Sequence, residues 1–295
     1  MSTSTSGKLV RKTPGTAAWP VDSWPGPLLL VRLSSLGDLV LATAALELIH
    51  KRRPELAIDV LTRRPYAPVL RGLEAIGSVL LDDASSSSAR GRAPAQASSA
   101  LPYATVLDLQ GGQKGRRAGQ RWAPGAQRIT YERASLQRRL LVLCGRRMKG
   151  PEPLVVRFAR AVAGGALETT ALQPKVAVDV DRRRVIGASL STPARPKRGW
   201  VVLAPSASRR LKAVPERLSG ALQEGLLKRS WGVIRLLPPD APLTGATEGH
   251  AGGALLATLA GRDGEPVRTF SGPLPDVMAL LASVSVVISS DSGIL

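Results

Sequence analysis

Cysteine is almost absent from this chain: Cys144 stands alone among 295 residues. One thiol excludes an internal disulfide and any multi-cysteine zinc cluster, and by itself it reads as a small buried hydrophobe. Aromatic residues make up only 3%, so the stacking platforms that grip single-stranded RNA or DNA would be scarce. The two histidines, His50 and His250, have no ligand spacing. Nor does any apolar run approach the roughly 18 residues of a membrane span, since Asp38 and Glu47 interrupt the best candidate. Residues 1–26 hold Ser, Thr, Gly, Pro and scattered charge without the apolar stretch of a signal peptide. They read as a disordered tail on a cytoplasmic protein.

Negative charge is also in short supply, with 22 acidic against 41 basic residues and a net charge of +19. Arginine outnumbers lysine 32 to 9 beside abundant Ala, Gly and Pro, a pattern of GC-rich coding. The charge is uneven, however. Positions 101–150 carry Lys114, Arg116, Arg117, Arg121, Arg128, Arg133, Arg138, Arg139, Arg146, Arg147 and Lys149 against only Asp108 and Glu132. Such a field attracts a polyanion or an anionic membrane face.

The length favours two domains of ordinary size. Strand-like runs at 28–33, 57–61, 79–81 and 105–109 alternate with helical patterns at 39–52 and 65–75, which predicts βαβ units and a mainly parallel sheet. The Ser-rich stretch 82–100 reads as a surface loop, and helical patterns at 134–144 and 153–162 close a first domain over 27–173. Residues 174–198, with three prolines and the run Arg182–Arg184, read as a linker. A second α/β series over 199–295 has strands at 200–203, 232–237, 266–270 and 284–289 and helices at 215–228 and 275–282. The fold class is therefore α/β with two Rossmann-like domains.

Within that frame the most informative segment is Ser34-Ser35-Leu36-Gly37-Asp38, between the apolar run from Leu28 and the helix pattern from Leu39. A strand running through a tight turn into a helix is where open α/β sheets present ligand-binding groups. Asp38 serves there either as a helix N-cap or as a reactive carboxylate. Three more segments stand in order along the chain. They are Asp108-Leu109-Gln110-Gly111-Gly112, then Ala204-Pro205-Ser206-Ala207-Ser208 with Lys212 and Pro215-Glu216-Arg217, and finally Asp291-Ser292-Gly293.

Together these segments resemble glycosyltransferase family 9, the ADP-heptose:lipopolysaccharide heptosyltransferases, from about Leu28 to the last residue. The resemblance implies the glycosyltransferase-B architecture, two Rossmann-like halves facing a cleft. It also implies an inverting, metal-independent enzyme that moves heptose from ADP-heptose to a lipopolysaccharide core acceptor. By the same resemblance Asp38 is the general base, and Ser34, Ser35, Gly37, Gln110, Lys114 and Arg117 bind the acceptor. Ser206, Ser208, Lys212, Asp240, Gly272, Asp291, Ser292 and Gly293 bind the donor. Family members usually have Gly at the position of Ser206 and Trp at that of Val214, so this loop departs from the pattern. The family's histidine-bearing helix, which follows its Asp-Ser/Thr-Gly motif, has no counterpart before Leu295, so the second domain is expected to be incomplete and the chain truncated.

No cofactor is implied, because ADP-heptose is a substrate. The partners implied are the nucleotide-sugar, a lipid-linked anionic saccharide and the cytoplasmic face of the inner membrane, where the basic stretch 114–149 would hold carboxylates or phosphates. Asp179-Val180-Asp181 spells the metal-binding Asp-x-Asp pattern, but beside Arg182–Arg184 it reads as solvated charge, and no metal is expected. Two rival readings are a charge-driven nucleic-acid-binding protein and an inactive fragment of a glycosyltransferase.

Overall fold

The computed structural model describes residues 20–82, 102–144, 150–164, 172–191, 196–206, 212–238, 258–260 and 266–290. The first half is built on five short strands, β1 (Leu28–Val31), β2 (Ile58–Thr62), β3 (Ser78–Leu81), β4 (Thr105–Asp108) and β5 (Gln127–Thr130). They form a parallel sheet in the order β3-β2-β1-β4-β5. β1 lies at the centre with all four residues buried, so both of its faces are covered, as the unbroken Leu-Leu-Leu-Val run requires. Side chains alternate across a strand. Leu28 and Leu30 therefore join one core with Leu46, Ile49, Phe158 and Val162, while Leu29 and Val31 join another with Val106, Ala118 and Trp122.

Helices α1 (Leu36–Arg52), α2 (Gly112–Trp122) and α4 (Leu154–Ala163) pack on this sheet, and the largely exposed helix α3 (Ser135–Cys144) stands between β5 and α4 in the chain. Neither α2 nor β5 is visible as an apolar pattern. Gly112, Gly115 and Gly119 argue against a helix by propensity, yet contact requires a glycine at 115 and makes a larger residue at 119 tight. A Cβ on Gly115 would stand 2.1 Å from Asp108 Oδ1, and one on Gly119 would stand 3.1 Å from Val106 Cγ1. The helix expected at 65–75 is instead a 3-10 helix over Arg64–Leu70, with Pro65 at its start and Pro68 inside it. Two missing amide donors in one short segment prevent an α-helical ladder.

Residues 20–26 do not belong to a disordered tail. Val21 is fully buried, Trp24 is nearly so, and Arg53 Nη1 donates to the carbonyls of Val21, Asp22 and Trp24, each at 3.3 Å. Residues 1–19 and most of the loop expected at 82–100 lie outside the described residues.

The expected linker also contains a helix, α5 (Val180–Leu190), capped by the Asp179 carboxylate, which accepts from the Arg182 amide at 2.9 Å. Only Ile186 and Leu190 of α5 are buried, so its apolar signal is faint beside three arginines. Ahead of α5 the chain is strapped to α1. The Lys175 amide donates to Thr43 Oγ1 at 2.8 Å, and Lys175 Nζ to Glu47 Oε2 at 2.5 Å.

The second half repeats the plan with β6 (Trp200–Ala204), α6 (Glu216–Lys228), β7 (Gly232–Leu236), β8 (Thr258–Ala260), β9 (Val267–Ser271), α7 (Leu274–Leu281) and β10 (Val286–Ser289). The order is β10-β6-β7-β9-β8, parallel except for β8, an antiparallel edge strand with no counterpart among the expected elements. Its core gathers Trp200, Val202, Ile234, Phe270, Ala279 and Leu280. α7 serves both halves: Ala279 and Leu280 belong to the second core, while Leu274 and Met278 pack against the first. Two Rossmann-like α/β units, each on a mainly parallel sheet, are thus present.

Candidate active site

A carboxylate at the C-terminal edge of a parallel sheet must be held there by its neighbours, and for Asp38 the holders are identifiable. β1 ends at Val31 and α1 begins at Leu36, three residues earlier than the apolar pattern suggests. Ser35, not Asp38, is the N-cap. The Asp38 carboxylate reaches back to the Ser35 amide at 3.5 Å and completes a capping box. The Ser34–Ser35 peptide is cis.

Arg32, 4% exposed, pairs with Asp38 Oδ2, donates to the Leu109 carbonyl, and lies 5.6 Å from the centre of the Phe158 ring. A buried guanidinium carries a large desolvation cost, which its carboxylate partner, its carbonyl and the ring face offset. The Asp38 side chain remains 34% exposed. Among the described residues its partners all meet Oδ2, and none meets Oδ1.

Gln110, which follows β4, fixes the loop from the other side. Its Oε1 accepts from the amides of Leu33 at 3.0 Å and Ser34 at 3.1 Å, and its Nε2 donates to Ser34 Oγ at 3.4 Å. Gln110 thus braces the β1 and β4 loops against each other. Asp108 anchors the β4 loop below it: fully buried, it accepts from the Gly111 amide at 2.7 Å and pairs with Arg128.

Ser34, Ser35, Asp38 and Gln110 together line a cavity of about 310 Å³. Its remaining wall is Arg32, Tyr131, Arg133, Leu154 and Arg157, of which the sequence reading reaches only Arg133, as one charge of the basic stretch 114–149. Arg133 crosses the two glycines that open α2. Both have positive φ, +67° and +66°, and a Cβ on Gly112 would lie 2.7 Å from Arg133 Nη1. Arg157 donates to the carbonyls of Glu132 at 3.0 Å and Glu152 at 3.1 Å and lies 5.7 Å over the Tyr131 ring. The cavity therefore places arginine side chains around one carboxylate, a setting for an anionic ligand that carries a hydroxyl. Lys114 and Arg117 are exposed on α2 and are not among the lining residues, and Gly37 sits in the first turn of α1.

In the second half three of the expected donor residues, Ser206, Lys212 and Gly272, are described. Ser206 follows β6, and its carbonyl accepts from Ser290 Oγ at 3.1 Å, joining the ends of the adjacent strands β6 and β10. Lys212 is exposed just before α6, where the Val214 amide donates to the Pro205 carbonyl at 2.9 Å and closes the loop. Gly272 directly follows β9. Ser208, Asp240, Asp291, Ser292 and Gly293 lie outside the described residues. Asp179 and Asp181 pair with Arg182 and Arg184, and among the described residues no cluster of His, Cys, Asp and Glu has metal-binding geometry. Cys144 is exposed at the end of α3, contrary to the buried position expected of it.

No family model matches the sequence, and no curated protein matches it. Solved structures do match its fold. The ADP-heptose lipopolysaccharide heptosyltransferase II of E. coli superposes with a TM-score of 0.60 at 18% identity, over 91% of this chain and 80% of that one. A family 9 glycosyl transferase of Veillonella parvula gives a TM-score of 0.62 at 14% identity, over 94% and 78%. E. coli heptosyltransferase WaaC, solved with ADP-2-deoxy-2-fluoro heptose, gives 0.58 at 20% identity, over 91% and 84%. This chain has the two-domain fold of these transferases.

Proposed function

We propose that the chain is a family 9 glycosyltransferase that moves heptose from ADP-heptose onto an anionic sugar acceptor of the lipopolysaccharide core, with inversion and without a metal. The observation that carries this reading is the Asp38 carboxylate, oriented by Arg32 in an arginine-lined cavity at the strand ends of the first sheet. The fold shared with a heptosyltransferase holding an ADP-heptose analogue supports it.

In the proposed reaction Asp38 Oδ1 takes the proton of the acceptor hydroxyl while that oxygen bonds to the anomeric carbon. The bond from that carbon to the diphosphate oxygen breaks on the opposite face, and ADP departs with the electron pair. Lys212 and the loop that begins at Ser206 supply positive charge and donors for the leaving diphosphate. Arg133 and Arg157 hold the acceptor's carboxylate or phosphate. The site of action is the cytoplasmic face of the inner membrane. The nucleic-acid reading has less support, because every aromatic ring among the described residues is buried or half-buried and none offers a stacking surface.

The test is transfer from ADP-heptose by Asp38→Asn. A positioned base is worth about 10²–10⁴-fold in rate, so turnover should fall by that factor while ADP affinity, read by calorimetry, holds. EDTA should leave wild-type turnover unchanged. Wild-type rates in Asp38→Asn would remove the base assignment, and strict metal dependence would remove the metal-free mechanism.

A further inference from the structure

Helix α2 packs over β1 and β4 through Ala118 and Trp122, and beside it, against the edge strand β5, a second cavity of about 300 Å³ opens. Val106, Ala123 and Ala126 give it an apolar wall, and the exposed side chains of Arg116, Gln120 and Arg128 complete the lining. No acidic side chain lines it, and it shares no residue with the cavity of Asp38. Its size stands at the lower end of the roughly 300–1,000 Å³ usual for small-molecule sites, which is room for a single-ring body.

Arg128 faces two ways. Its Nε, at 3.1 Å, and its Nη2 both donate to Asp108 Oδ2, which leaves Nη1 without a partner among the described residues. Arg116 has no acidic partner among them either. Two guanidinium groups beside one buried carboxylate leave a single net positive charge, which suits a monoanion and disfavours a dianion. We propose that this cavity binds a small organic carboxylate with a compact apolar body, and that the ligand steadies the loop carrying Gln110. The carboxylate pairs with Arg116 and with Nη1 of Arg128, the Gln120 amide adds a donor, and the apolar body lies against Val106, Ala123 and Ala126. The ligand then holds Arg128 from one side while Asp108 holds it from the other. Because Asp108 Oδ1 accepts from the Gly111 amide at 2.7 Å, fixing Arg128 restrains the loop after β4.

The experiment uses the full chain with para-fluorobenzoate as the probe, read by fluorine NMR line broadening, so its outcome does not depend on transferase activity. The wild-type chain should bind para-fluorobenzoate and not para-fluorobenzamide, which has the same shape without the charge. Arg116→Gln and Gln120→Glu should each weaken binding about tenfold or more, with unchanged thermal midpoints. Arg133→Gln, which alters only the cavity of Asp38, should bind the probe as the wild type does. Hydrogen exchange over residues 109–112 should slow when the probe is bound to the wild type and not when it is added to Arg116→Gln. Absence of binding, equal binding of the amide, undiminished binding by Arg116→Gln or loss of binding in Arg133→Gln overturns the site. Unchanged exchange with the wild type saturated overturns its link to the loop.

Discussion

The glycines of α2 show how far a residue's role can sit from its propensity. Gly115 weakens the helix as a helix, yet the carboxylate of Asp108 occupies the space its Cβ would need. Asp108 in turn orders the loop that carries Gln110, and Gln110 braces the loop that carries Ser34. Gly115→Ala should therefore cost about 1–3 kcal/mol, the usual penalty for forcing atoms into a filled core, measured by urea unfolding. An unchanged midpoint would show that Asp108 is free to move. At this scale the sequence exposed Asp38, Ser34, Ser35 and Gln110, because their motifs are continuous along the chain. Arg133, three residues beyond β5, reads only as one charge of the basic stretch, and Arg157 on α4 gives no signal at all; both reach the cavity through folding alone. Arg32 carries a readable signal, a single charge closing an unbroken apolar strand two residues before Ser34.

Elements were legible where their apolar pattern was strong. β1, β4, β6 and α1 appear at or near their expected positions, since continuous apolar runs leave little choice between a buried strand and a buried helix once turn residues bound them. α5 looks like linker in sequence because the helix rests on two buried side chains and a cap rather than on a stripe. A cap matters most for such a helix. Asp179→Ala should destabilise the second half by about 1 kcal/mol, seen as a lower thermal midpoint, whereas Asp181→Ala, whose exposed pair with Arg184 is a surface contact, should change it by less than about 0.5 kcal/mol. Equal effects would mean that Asp179 acts through charge and not through the Arg182 amide.

For the whole molecule, alternation of strand and helix was enough to indicate two α/β units, but nothing in the sequence shows how they are joined. Among the described residues α7 joins them: it inserts Leu274 and Met278 against the first core while Ala279 and Leu280 belong to the second, and the strap ahead of α5 is pinned to Thr43 and Glu47 of α1 by Lys175. Shared packing couples unfolding, so calorimetry should show one transition for the wild-type chain. Met278→Ser should split it into two by placing a hydroxyl in that shared contact. A wild-type trace with two transitions would deny the coupling.

The shared helix also sets where strain would travel. Because α7 gives Leu274 and Met278 to one core and Ala279 and Leu280 to the other, it cannot shift along its axis without disturbing both. Repacking in either core is therefore felt in the other, and α7 is the lever between them.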